Sequence, residues 1–108
     1  MNRKDFNSEI KNINAMHDIN LLTDKTNVLN TVFGDLYITF DMDFKRNCHA
    51  IFIRFKDMKK IEFFKEYIKG KYQSFNNHSH KWNIHNSNPD NVVSELEERI
   101  SNIMYYNV

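Results

Sequence analysis

Phe6, Ile10, Ile13 and His17 recur at spacings of four, three and four, which places them on one face of a helix. Met16 widens that stripe, and Asn2 or Asp5 is placed to cap its start. The pattern dissolves after Leu21 and Leu22, and 23–27 reads as a connection. Within 28–44, Leu36, Ile38, Phe40 and Met42 alternate with Tyr37, Thr39, Asp41 and Asp43, the signature of a half-buried strand. Gly34, just before it, marks a turn or a bulge. After the polar break Lys45-Arg46-Asn47 the alternation resumes, with Ile51, Ile53 and Phe55 on one face. So short a polar turn between two strands predicts an antiparallel hairpin.

Asp57 is the expected N-cap of a second helix with Met58, Ile61, Phe64 and Ile68 as its apolar stripe and Phe63 and Tyr67 at the margins. Gly70 suits a left-handed C-cap, and Lys69 and Lys71 complement the negative end of the helix dipole. Tyr72-Gln73-Ser74-Phe75 and Lys81-Trp82-Asn83-Ile84-His85 read as a second hairpin around the polar insert 76–80. Asn88 and Pro89 open a last helix with Val92, Val93, Leu96, Ile100 and Ile103 on its apolar face. Glu95, Glu97, Glu98 and Arg99 fall off that face. The expected fold is α+β, a single domain over 1–108, with antiparallel β-hairpins, terminal helices and the order α-β-β-α-β-β-α. Leu36, Ile38, Phe40, Ile51, Ile53, Phe55, Ile61, Phe64, Ile68, Trp82, Leu96 and Ile100 are its expected core.

Nine Phe and five Tyr within a 41% hydrophobic chain supply enough apolar area for one core and exclude a disordered reading. Sixteen Asn, with abundant Lys, Ile and Phe, point to AT-rich coding and so to a low-GC bacterium or its mobile elements. The single cysteine, Cys48, has no intrachain partner, which fits a reducing cytoplasm. Neither a signal-peptide-length apolar run nor a membrane span is expected.

The net charge of +1 conceals a pattern. Residues 1–44 carry four basic and seven acidic side chains, 45–81 ten and three, and 82–108 one and four. A basic middle between acidic ends reads either as self-neutralising surface or as a face for an acidic partner. Lys56, Lys59 and Lys60 cluster at the expected start of the second helix, where the dipole disfavours cations. That local conflict points to a functional role.

Other constellations are weaker. His78, His80 and His85 would place imidazoles near one another on an extended segment, but they lack paired zinc-ligand spacing, and a His-rich polar loop accounts for them. His78-Ser79 supplies one half of a paired His-x-Ser/Thr phosphoesterase pattern, with no second copy. Asp41 and Asp43 share a strand face and could hold a divalent cation, though a solvated face is the simpler account. Cys48 and His49 are adjacent on a strand and face opposite ways, so a small buried or half-buried Cys is expected. Phe52-Ile53-Arg54-Phe55 has the aromatic-basic character of an RNA-binding strand without its glycines, and single strands could stack there.

Ser79-His80-Lys81-Trp82-Asn83-Ile84-His85, followed by an acidic amphipathic helix, resembles a Gly-Lys-Trp/Tyr-Asn-Phe-His run preceding the final helix of small phage proteins. The run's glycine is His80 here, and the likeness covers about the last quarter of the chain. The resemblance implies a non-enzymatic, phage-encoded inhibitor of a host nuclease or defence complex, of the anti-CRISPR type. Its partner would be a host protein or ribonucleoprotein, and it would need no cofactor or metal. The net charge excludes DNA mimicry by the whole surface, which requires a strongly acidic body; local mimicry by Asp90, Glu95, Glu97 and Glu98 stays open. The alternative is a small nucleic-acid-binding accessory protein that uses the basic central segment. Arg54, Lys56, Lys59, Lys60, His78, His80 and Lys81 form the expected binding face in either case.

Overall fold

The computed structural model describes residues 1–69 and 74–106. Helix α1 spans Arg3–His17. Asn2 caps it, its side chain accepting from the Asp5 amide at 2.8 Å, and Phe6, Ile10, Ile13 and His17 are its buried face. Strands β1 (Asn27–Thr31), β2 (Gly34–Asp43) and β3 (Cys48–Lys56) follow, then α2 (Ile61–Ile68), β4 (Ile84–Asn86) and α3 (Pro89–Met104). The four strands form one antiparallel sheet in the order β1-β2-β3-β4. The chain is therefore α+β as expected, but three strands precede α2 and one follows it.

Strand β1 escaped the periodicity because two of its three inward positions, Asn27 and Thr31, are polar and only Leu29 is apolar. Asn27 is buried opposite Ile38, and its amide bonds Leu22 N, Leu22 O, Lys25 O and Ile38 O at 2.7–3.2 Å. An edge strand with one fully satisfied Asn facing in shows no apolar alternation. Asn14 ties the loop before it in the same way, bonding both N and O of Leu21. Asparagine, abundant in the composition, thus closes loops through backbone-like hydrogen bonds.

The β1–β2 turn tucks Phe33 fully into the core. Gly34 follows it with φ +116, and a Cβ there would meet the Asp57 carbonyl at 2.9 Å, so a side chain is excluded on both counts. The segment after β3 crosses this turn, and Lys59 N donates to Phe33 O at 2.8 Å. This crossing delays α2. Asp57 sits at φ +53 and does not cap; the helix opens at Ile61 after Lys60, which has no side-chain cap. Lys56 is consequently in β3 and Lys59 in the crossing loop, so most of the conflict between cations and a helix start disappears. The expected Gly70 C-cap and Lys71, with Tyr72 and Gln73, lie outside the described residues.

The second hairpin does not form among the described residues: Ser74 and Phe75 are not strand. Residues 80–86 instead run along β3. Phe55 N donates to His80 O, Arg54 bridges Lys81, Trp82 N donates to Ile53 O, and β4 continues the same register. Trp82 thereby enters the core edge-on to Phe64, with ring centroids 5.2 Å apart. One hydrophobic cluster joins the three helices to the inner sheet face. Ten of the twelve expected core residues are buried; Phe40 and Ile61 are half-buried at its margin. Arg99, expected off the helix face, is 3% exposed: its guanidinium lies 4.9 Å over the Trp82 ring and donates to Trp82 O and to Ser74 Oγ. Cys48, expected to be at least half-buried, is exposed, because the first residue of β3 falls on the outward phase beside the turn.

Candidate functional site

Because the helices cover only the inner sheet face, the alternation that buries Leu36, Ile38, Ile51 and Ile53 turns their neighbours to solvent. Pairing sets these outward residues in rows across the strands. Val28 faces Tyr37, Tyr37 faces Arg54, and Arg54 faces Lys81. The next row holds Thr39 opposite Phe52, with Thr26 joined to Thr39 through their hydroxyls at 3.0 Å. A third holds Asp41, Ala50 and His85, and at the far end Lys56 faces Asp35.

Two aromatics, Tyr37 and Phe52, therefore stand on the central strands of an open face. Phe52 is 43% exposed, and its edge contact with His85 is 5.9 Å between centroids. Tyr37 is flanked by the Arg54 guanidinium at 5.7 Å and the Lys56 ammonium at 5.8 Å from its ring centre. A shallow cavity of about 390 Å³ lies between them, lined by Thr26, Tyr37, Thr39, Phe52, Ile53, Arg54, Lys81 and Asn83. Among the described residues the ion pairs join His17 to Glu97, Arg46 to Asp43 and Lys65 to Glu62. Among the described residues, Arg54, Lys56 and Lys81 thus have no carboxylate at ion-pair distance, although Asp35 stands opposite Lys56 on the neighbouring strand.

Of the seven expected binding residues, the fold brings Arg54, Lys56 and Lys81 onto this face. Lys59 and Lys60 are exposed in the crossing loop before α2. His78 is exposed in the turn before residue 80, while His80 is half-buried, stacked parallel to Phe75 with centroids 6.5 Å apart. His85 lies on the outer sheet face beside Phe52 instead. Among the described residues no three of His, Cys, Asp and Glu gather closely enough to hold a metal ion. Asp43 accepts from the amides of Lys45 and Arg46 at 3.2 Å and so shapes the β2–β3 turn. Tyr37, Thr39 and Asn83 were missing from the expected face. Part of their signal was present: Tyr37 and Thr39 occupy the outward phase of an alternating strand, and Phe52 is an aromatic where alternation calls for a polar residue, whereas Asn83 precedes β4.

A second polar cluster is structural. His17 Nε2 faces Glu97 at 3.3 Å and Ser101 at 3.4 Å, its Nδ1 faces the Tyr105 hydroxyl at 3.3 Å, and Ser101 Oγ donates to Glu97 at 2.8 Å. A nucleophilic relay needs hydroxyl and carboxylate on opposite imidazole nitrogens. Here the Ser101 hydroxyl and the Glu97 carboxylate share Nε2, so they form no serine relay; with Tyr105 on Nδ1 the cluster staples α1 to α3. No helix among the described residues is long and apolar enough to cross a membrane. No protein-family model, no curated protein and no solved structure matches the chain.

Proposed function

We propose that this protein binds single-stranded nucleic acid across the open face of its sheet. The observation that carries the reading is the row Val28–Tyr37–Arg54–Lys81 with Phe52 in the row beside it: one exposed and one half-buried aromatic ring beside Arg54, Lys56 and Lys81, which form no ion pair among the described residues. Exposed rings stack on unpaired bases of any sequence, and cations track the phosphates. A duplex offers its bases to neither ring. The setting we assign is the cytoplasm of a bacterial host, with a mobile element as the source, in keeping with one cysteine and the AT-rich coding.

Fluorescence anisotropy with labelled thymidine and uridine decamers, against a blunt duplex, tests this. Binding to the decamers should exceed duplex binding at least tenfold. Three phosphate contacts on a single strand give a log–log salt slope of about −2. Arg54→Glu combined with Lys81→Glu should abolish binding without unfolding the chain. An inhibitor of a host nuclease would use the same charges against a protein. Absence of decamer binding, with nuclease inhibition that the same variant weakens and salt affects shallowly, would favour that reading instead.

A further inference from the structure

Asn83 occupies a place where the backbone ladder is interrupted. Its Oδ1 accepts the Ile53 amide at 2.9 Å, filling in for a main-chain carbonyl between the Arg54–Lys81 bridge and β4. The Ile53 amide can only donate, so the side-chain oxygen must face it, and the amide group cannot flip. Asn83 Nδ2 is left with two N–H donors and no protein partner among the described residues, on the wall of the cavity that Phe52 and Tyr37 border. The cavity's volume, about 390 Å³, is at the small end of ligand sites, suited to one planar base and its sugar.

We infer that this cavity seats one base of the bound strand against Phe52 and that Asn83 selects a keto base, thymine or uracil, over adenine. The inference rests on the single-strand reading above. Asparagine recognises adenine by using both its atoms, the oxygen accepting from N6–H and the nitrogen donating to a ring nitrogen. Here the oxygen is committed to Ile53, so adenine loses the N6–H contact and keeps at most one, from Nδ2 to a ring nitrogen. A carbonyl oxygen projecting from thymine or uracil meets an N–H instead. The paired hydroxyls of Thr26 and Thr39 supply a second polar contact on the opposite wall.

The test compares labelled thymidine and adenosine decamers on the wild-type protein and on Asn83→Asp. The wild type should prefer the thymidine decamer by about fivefold, the effect of one hydrogen bond. Aspartate keeps an oxygen for the Ile53 amide and presents another oxygen to the cavity in place of N–H. Affinity should fall for both decamers because of the added charge, and the preference should invert toward adenosine. Equal wild-type binding of the two decamers, abolished by Arg54→Glu with Lys81→Glu, overturns base selection and leaves the sheet-face reading intact. A thymidine preference that survives in Asn83→Asp likewise overturns the role of Asn83. Failure of both decamers to bind the wild type overturns both readings. The wild-type comparison decides base selection even if the variant does not fold.

Discussion

The Arg99 guanidinium stacks 4.9 Å over the indole of Trp82 and also donates to the carbonyl of the same residue, so α3 clamps the strand that enters the core. Arg99→Ala removes that donor and leaves a void beside the largest core side chain. The expected loss in a urea titration is about 3 kcal/mol. Arg99→Lys should recover little of it, because an ammonium lacks the planar fork that stacks and donates together. A lysine variant as stable as the wild type would contradict this account.

Asn27 makes four side-chain hydrogen bonds to the main chain from a buried position. Asn27→Ala should therefore destabilise by about 3 kcal/mol, far above the usual effect of a surface substitution. Asn27→Asp should be no better, since a carboxylate would face the carbonyls of Leu22, Lys25 and Ile38. Thermal unfolding of the two variants checks the direction.

His49 is 2% exposed beside Phe44, and among the described residues no protein atom hydrogen-bonds either ring nitrogen. Replacing a desolvated polar group by an apolar one of similar size is expected to stabilise. His49→Leu should raise the urea midpoint with an unchanged slope, a gain of about 1 kcal/mol. A lowered midpoint would mean that the imidazole makes an interaction the fold depends on.

Tyr37→Ala and Phe52→Ala separate binding from folding. Phe52 faces solvent, so its loss should leave the melting temperature nearly unchanged while weakening the thymidine decamer about tenfold. Tyr37 is half-buried between two cations, and its removal should weaken binding similarly with a modest stability loss. Unchanged affinity in both variants would remove stacking from the mechanism.

The faces of α1, α3, β2 and β3 were legible in the main, as were the Asn88 cap and Pro89, although Met16, read into the α1 stripe, is exposed, Phe40 is half-buried and Arg99, read off the α3 face, is buried. These features are local: side-chain direction repeats with the helix or the strand, so burial on one side leaves its mark in the order of residues. The candidate face was legible in part. Arg54, Lys56 and Lys81 stood out as charges, whereas Tyr37 and Thr39 read only as the polar phase of a strand.

What the order of residues could not contain was which segments meet. A polar Asn27 becomes an inward strand residue only because the main chain around it supplies four partners. Asp57 fails as a cap because the chain must first cross the Phe33–Gly34 turn. Lys81 joins Arg54 because burying Trp82 draws its segment onto the free edge of β3, where Ile53 and Phe55 need hydrogen-bond partners. Periodicity thus determined the elements and their buried faces. Tertiary pairing alone set the rows across the sheet, and with them the joining of aromatics, cations and Asn83 on one open surface.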